Sequence, residues 1–147
     1  MTRESEKPRI LLDTKPLIKF FAREEGWKNV KDILTKIEEA EIEAAISVVT
    51  LTEIYYKYLH EKRPDLAKTR TDEIKYAVYV RKLDVTQETA IVAGEFKGKY
   101  SVPLADAYIA AAANAEELII ISDDEDFKKI CEVVTLTEKE FAMYLTK

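Results

Sequence analysis

The stretch LADAYIAAAANAEELIIISDDEDF, residues 104–127, joins an alanine-rich segment to a short run of isoleucines that ends in acids. Residues 104–114 are apolar on most sides, which predicts a buried helix. Residues 118–121 read as a buried strand, and Ser122 and a run of acidic residues follow it directly. A buried helix followed by a buried strand is typical of an α/β protein with parallel strands.

The same alternation extends over the rest of the chain. Further strands are predicted at residues 9–12, 42–49, 83–85 and 132–136, and helical patterns, including residues 50–60 and 65–81, separate most of them. The predicted order is β-α-α-β-α-α-β-α-α-β-β-α. Since parallel strands need crossover connections, we predict an α/β fold, a three-layer α/β/α sandwich with a mostly parallel central sheet.

The length and the termini suggest one domain. With 147 residues the chain is long enough for one core and short for two. We predict an N-terminal extension over residues 1–8 and a single domain over residues 9–147. The apolar runs are too short to cross a bilayer, and the charged start MTRESEKPR has no signal-like core, so we expect a cytoplasmic protein without membrane contact.

Composition excludes several kinds of site. Cys131 is the only cysteine and His60 the only histidine, so a disulfide, a cysteine-based zinc site and a histidine-led triad are unsupported. We expect Cys131 to be a buried structural thiol. The net charge of −5 argues against indiscriminate nucleic-acid binding. Basic residues outnumber acidic ones over residues 54–82, which suits a phosphodiester substrate but equally describes an ordinary solvated face.

Acidic residues lie at the predicted ends of strands and starts of helices. Asp13 follows RILL, Glu53 lies near a helix start, Asp106 lies in the alanine-rich helix, and Asp124 and Asp126 follow LIIIS. Sites in such folds lie beyond the carboxyl ends of the strands, where these acids can meet. Two carboxylates about 4 Å apart repel by about 4 kcal/mol at an effective dielectric near 20. A cluster therefore needs protons or a cation, and oxygen ligands favour Mg²⁺ or Mn²⁺.

Each acid also has a purely structural interpretation. Asp13 can cap the following helix. Glu53 lies three residues after Thr50, which is the spacing of a capping box. Asp106 can sit in the positive first turn of its helix or pair with an unseen Lys or Arg. The acids after residue 122 can form a solvated turn, although an extended turn would point Asp124 and Asp126 together.

Four segments in order, ILLDT (10–14), SVVTLTEI (47–54), LADAYIAAAA (104–113) and ISDDEDF (121–127), resemble the PIN-domain family, most closely its VapC-like toxin branch. The resemblance implies a Rossmann-like fold and a Mg²⁺- or Mn²⁺-dependent ribonuclease that hydrolyses phosphodiester bonds of single-stranded or structured RNA. It also implies the toxin of a toxin–antitoxin pair, a homodimer, and a small antitoxin protein as partner.

The resemblance also assigns roles to residues by motif. It implies Asp13, Glu53, Asp106 and Asp124 as catalytic residues, and Asp13, Asp106, Asp124 and Asp126 as metal ligands. Thr14 and Ser122 match small hydroxyl positions that line the site. Lys15 departs from the family, which usually has Asn there. This lysine would either pair with an acid and weaken metal binding, or hold a substrate phosphate.

Two other function classes stay open on the sequence. One is a module that binds RNA or protein and is catalytically weak because Lys15 pairs with an acid of the pocket. The other is an α/β phosphoacceptor or phosphatase. A phosphoacceptor of the receiver type needs a mid-sheet aspartate, where the chain offers only Asp84, and the dehalogenase-type phosphatases need a second aspartate where the chain has Lys15.

Overall fold

A computed structural model of the chain describes residues 6–146. The elements alternate along the chain in the predicted order. They are β1 Arg9–Leu12, α1 Thr14–Ala22, α2 Trp27–Glu38, β2 Glu43–Ser47, α3 Val48–His60, α4 Pro64–Lys75, β3 Val80–Leu83, α5 Gln87–Tyr100, α6 Leu104–Glu116, β4 Ile119–Ile121, a short 3₁₀ helix Glu125–Lys129, β5 Thr135–Leu136 and α7 Glu138–Leu145.

The five strands form one parallel sheet in the order β3-β2-β1-β4-β5. β1 lies at the centre, where Leu11 pairs with Ala45 of β2 and Leu12 pairs with Ile121 of β4. Along the chain, β2 and β3 are added on one side of β1, and β4 and β5 are then added on its other side. The switch between β1 and β4 opens a crevice at the carboxyl ends of these two strands, where ligands bind in such sheets.

Alternate residues of β1 face opposite layers. Ile10 and Leu12 join a core that includes α1, α2, α3, α4 and α7. Leu11 joins a second core with α5, α6 and the 3₁₀ helix. The alanines of α6 are small, so this helix packs closely on the sheet and most of its length is buried. The three-layer α/β/α fold and its parallel sheet are therefore confirmed.

The third strand was predicted in the wrong place. The pattern over residues 65–81 predicted one helix and residues 83–85 a strand, but α4 ends at Lys75 and β3 spans Val80–Leu83. Val78, an apolar residue within the predicted helix, is 95% exposed. Val80 is buried and pairs with Ala44 of β2, so sheet pairing decided the conformation of residues 80 and 81 over the helical spacing.

The start of α3 also differs from the prediction. The helix begins at Val48, because the Ser47 hydroxyl accepts a hydrogen bond from the Val49 N–H at 3.1 Å and serves as the N-cap. Thr50 therefore lies within the helix, and the capping box predicted for Thr50 and Glu53 is absent. A capping box is present instead at the start of α7, between Thr137 and Glu140.

Two further expectations concern the surface and the termini. Cys131 was expected to be buried, but its thiol is exposed because the last strand is only two residues long and begins at Thr135. The predicted extension over residues 1–8 and the domain end at residue 147 fall partly on residues 1–5 and 147, outside the described residues. Across residues 6–146, no helix has the length and apolar character that a bilayer crossing requires.

Candidate active site

Asp13 lies at the carboxyl end of the central strand, with only 3% of its surface exposed. Its backbone N–H donates to the Ile121 carbonyl of β4 at 3.1 Å, so the end of β1 is fixed against the neighbouring strand. Although Asp13 occupies the N-cap position of α1, its side chain makes no capping hydrogen bond. The helix-capping interpretation of this carboxylate is therefore wrong, and Asp13 is available to the crevice.

Ser122 connects the two strand ends. Its hydroxyl donates to Asp13 Oδ2 at 2.7 Å and accepts from the Asp124 backbone N–H at 3.0 Å. The residue is fully buried, so water does not compete for either bond. One side chain thus fixes the Asp13 carboxylate and the first residue of the acidic turn together.

The acids after β4 form a helical turn. The sequence suggested an extended turn, but Asp124 caps the 3₁₀ helix by accepting from the Asp126 N–H at 3.0 Å. Asp124 and Asp126 still approach each other, because the tight turn folds the second side chain back toward the first. Asp126 also accepts a hydrogen bond from Lys129 Nζ at 2.8 Å, a cation that the sequence reasoning missed.

Asp106 lies in the first turn of α6 and is 6% exposed. Its Oδ2 is buried and has no hydrogen-bond partner within the described residues. No Lys or Arg of residues 6–146 forms an ion pair with it, so the unseen basic partner considered from the sequence is absent there. A buried carboxylate oxygen without a partner is costly and calls for a ligand.

Glu53 lies on the second turn of α3, half-buried, and faces Thr14 at the start of α1. The Thr14 hydroxyl donates to Glu53 Oε1 at 2.6 Å. The same hydroxyl lies 3.1 Å from the hydroxyl oxygen of Thr50, which is fully buried. Thr50, which the sequence suggested only as a cap, thus belongs to the polar surroundings of Glu53.

Three carboxylates are close enough to share one cation. Among the described residues, Asp106, Asp124 and Asp126 each offer an oxygen that lies within 4.8 Å of the others. We call these three residues the acid group. Asp13 and Glu53 lie outside the acid group, but both contribute negative charge at Asp106. The structure therefore brings all five predicted acids to the same edge of the sheet.

Burial and the neighbouring acids raise two pKa values. The pKa of Asp106 is raised to about 8, first by burial, then by the charge of Asp124 and a hydrogen bond with it, and then by Asp13 and Glu53. The pKa of Asp13 is raised to about 6, mainly by burial, although the hydrogen bond from Ser122 opposes this. Near neutral pH the site without a cation therefore holds a proton on Asp106.

Two lysines of α1, Lys15 and Lys19, make different contacts with the acids. Lys15 is exposed, and within residues 6–146 it makes no ion pair with any of the five acids. The positive charge of Lys15 helps to lower the pKa of Asp123. Burial opposes this shift, and the main cause that lowers the pKa is the hydrogen bond between Asp123 and Lys19. Lys19 donates to Asp123 at 2.5 Å and to Glu138 at 2.8 Å. Lys19 lies more than a hundred positions from both acids, so the spacing of residues in the sequence does not predict these ion pairs.

The basic excess of residues 54–82 remains after ion pairing, because eight basic residues face four acidic ones. All four acidic residues of this segment are paired with its cations, on the exposed sides of α3 and α4. These ion pairs are Lys57–Glu61, Arg63–Asp65, Lys68–Asp72 and Arg70–Glu73. One of the remaining cations, Arg81, pairs with Glu116 outside the segment. Both interpretations of this surface, a substrate-facing one and an ordinary solvated helix face, therefore stay open.

The chain matches the model of the PIN domain family over residues 10–133, which is most of its length. The chain belongs to the PIN domain family. No curated protein sequence matches the chain.

Solved structures share this fold. A toxin–antitoxin complex from Klebsiella pneumoniae is 24% identical, with a TM-score of 0.64, over 88% of this chain and 97% of the other. VapBC2 from Rickettsia felis, bound to a DNA fragment from their promoter, is 18% identical, with a TM-score of 0.69, over 88% and 98%. Mycobacterium tuberculosis VapC20, a sarcin-ricin loop cleaving toxin, is 18% identical, with a TM-score of 0.68, over 81% and 92%.

Proposed function

We propose that this PIN-domain protein is a ribonuclease that depends on Mg²⁺ or Mn²⁺ and acts as the toxin of a toxin–antitoxin pair. The observation that carries the proposal is the convergence of Asp13, Glu53, Asp106 and the acidic turn at the crevice between β1 and β4. Membership of the PIN domain family supports a nuclease, and the toxin–antitoxin structures that share the fold support the toxin role.

The donor set fits a hard divalent cation. Every group in the acid group is a carboxylate, and oxygen ligands suit Mg²⁺ and Mn²⁺ better than zinc. The buried Asp106 Oδ2 lacks a partner within the described residues, as expected for an oxygen that serves as a ligand. We assign Asp106, Asp124 and Asp126 to the ion, with Asp13 beside them. When bound, the ion would lower the pKa of a water and stabilise charge on the phosphate oxygens.

The remaining residues prepare the site. Ser122 holds the Asp13 carboxylate and the acidic turn in a fixed relation through its two hydrogen bonds. We assign Glu53 the role of orienting the attacking water, because its carboxylate has no hydrogen bond other than that from Thr14 in the described residues. Lys15 lies exposed at the start of α1, where its ammonium group is free to hold a substrate phosphate.

RNA cleavage with purified protein tests the proposal. We expect cleavage of single-stranded or hairpin RNA with Mg²⁺ or Mn²⁺, loss of cleavage with EDTA, and no cleavage of a DNA of the same sequence. Asp106→Asn should abolish activity and stay folded, whereas Asp32→Asn, a change at an exposed aspartate of α2, should retain it. Cleavage that survives in Asp106→Asn would refute the site, and metal-independent RNA binding without cleavage would favour the binding module.

We also propose a homodimer and a small antitoxin as partners. The support for the antitoxin is that the Klebsiella pneumoniae structure of this fold is a toxin–antitoxin complex. Large exposed side chains, including Tyr56, Tyr76 and Val78, give a dimer apolar surface to bury. Light scattering on the purified chain tests the dimer, and expression toxicity that a small protein encoded next to this chain relieves would support the antitoxin.

A further inference from the structure

We propose that Thr50 is a positioning residue for Glu53: its hydroxyl oxygen is the second acceptor for the Thr14 hydrogen, and this contact fixes the Thr14 hydroxyl that holds Glu53 Oε1. This inference rests on the proposed nuclease function. It concerns a hydroxyl of α3 that the sequence motifs do not assign to the site.

The first step of the argument is that Thr14 has one hydroxyl hydrogen and two acceptors. Glu53 Oε1 lies at 2.6 Å and Thr50 Oγ1 at 3.1 Å from the Thr14 oxygen. Because a hydrogen bond to a carboxylate is the stronger of the two, the hydrogen points mainly to Glu53. Thr50 then takes the longer branch of a three-centre bond.

The second step is that Thr14 and Thr50 are shielded from solvent. Thr50 is 0% exposed and Thr14 is 6% exposed, so water does not replace a lost acceptor. A buried hydroxyl that loses every acceptor is penalised. If Thr50 lacked its oxygen, the Thr14 hydroxyl would depend on Glu53 alone.

The third step is that Glu53 is held by Thr14 and is not part of the acid group. Within residues 6–146, the group of three carboxylates that could share a cation is Asp106, Asp124 and Asp126. Glu53 is half-buried and no ion pair of the described residues holds it. Its Oε1 is held by the Thr14 hydroxyl, so the position of this hydroxyl, which Thr50 also contacts, sets the position of the Glu53 carboxylate.

The kinetic test compares Thr50→Val, which removes the hydroxyl at nearly constant volume, with Thr50→Ser, which keeps it. We expect Thr50→Val to lower kcat about tenfold, equivalent to about 1.4 kcal/mol, with KM and the melting temperature almost unchanged. Thr50→Ser should keep the wild-type kcat. The matched control is Thr71→Val on α4, where the hydroxyl donates only to backbone carbonyls of its own helix; it should also keep the wild-type kcat.

A double variant separates positioning from general damage. In a Glu53→Gln background, Thr50→Val should reduce the residual kcat no further, because residues that act as one unit are not additive. An equal reduction in both backgrounds, or a wild-type kcat in Thr50→Val, would overturn the assignment. A fall in kcat that matches a fall in melting temperature would also overturn it.

A measurement on the metal-free protein does not depend on nuclease activity. Threonine side-chain couplings in NMR report the χ1 rotamer of Thr14. We expect a single rotamer in Glu53→Ala, because Thr50 still accepts, and rotamer averaging in Thr50→Val/Glu53→Ala. Averaging in Glu53→Ala alone would refute the role of Thr50. If the wild-type protein shows no metal-dependent cleavage, the proposed function fails, and this NMR comparison still decides the inference on Thr50.

Discussion

The Ser122 hydroxyl donates a hydrogen bond to Asp13 Oδ2 at 2.7 Å and joins two residues that lie 109 positions apart in the chain. The bond spans the ends of β1 and β4, the two strands at the switch in sheet order. Because the same hydroxyl also accepts from the Asp124 N–H, it sets how far the acidic turn lies from the central strand. The geometry of the candidate site thus depends on one buried hydroxyl.

Ser122→Ala should therefore weaken both stability and activity. Asp13 would remain buried without this donor, so we expect a loss of about 1–3 kcal/mol in the free energy of unfolding. RNA cleavage should fall by about tenfold or more, as for other residues that support metal ligands. Ser122→Thr keeps the hydroxyl and serves as the control. Unchanged cleavage in Ser122→Ala would show that Asp13 needs no such support.

The stability of the metal-free protein should fall as pH rises from about 4 to about 8. Asp13 and Asp106 ordinarily have a pKa of 3.8, and the fold raises these values to about 6 and about 8. Between the unfolded and folded values the folded protein binds more protons than the unfolded chain, so raising the pH favours unfolding. The contribution of these two carboxyls to stability is fully present below about pH 4 and is lost as pH rises through the folded values.

Asp106→Asn should flatten this pH dependence, because it removes the residue whose pKa is raised most. At pH 7 without metal we expect the variant to be more stable than the wild type by about 4 kcal/mol. At pH 4 the two should be almost equally stable. Urea unfolding in the presence of EDTA measures both values, with Asp32→Asn as the control. A parallel pH profile for wild type and Asp106→Asn would mean that the fold does not raise the pKa of Asp106.

The order of the elements and the convergence of the acids could be predicted from the sequence. RILL and LIII are short runs that end in apolar residues and are followed directly by a polar one. This pattern marks both a buried strand and its carboxyl end. The rules of parallel sheets then bring Asp13 and Asp124 to one edge. Asp106 stood out because nothing near it in the sequence could pair with a buried charge, and the structure leaves its Oδ2 without a partner in residues 6–146.

The missed features depend on contacts between distant residues or on competing local signals. Thr50 matched a capping box, but Ser47 was the residue that capped α3. Val80 fitted a helical pattern, yet pairing with β2 placed it in a strand. The hydrogen bonds that Lys19 and Ser122 make to acids cross more than a hundred positions, and no local pattern encodes such pairs.

Lys129→Met should tighten divalent-ion binding. Lys129 donates to Asp126 at 2.8 Å and occupies a carboxylate of the acid group, so a cation must compete with it. Removing one positive charge from this position should lower the Kd for Mn²⁺ about threefold at low salt. Calorimetric titration measures the change. Lys128→Met is the matched control, because its charge acts on Glu140 of α7 and should leave the Kd unchanged. A Kd that is equal or higher in Lys129→Met would contradict the competition.

Binding of a divalent ion at pH 7 should release about one proton per ion, because ligands must be deprotonated to bind. Asp106, with its pKa raised to about 8, is mainly protonated at that pH, whereas Asp13, at about 6, is mainly ionised. Titrations in buffers with different ionisation enthalpies count the protons, and the number should approach zero at pH 9. Over the range from pH 6 to pH 8, the affinity should rise with pH.

Asp32→Asn should behave as the wild type, whereas Asp106→Asn should bind weakly and release no proton. Release that is independent of pH between 6 and 9 would show that Asp106 is not the group that gives up its proton to the ion.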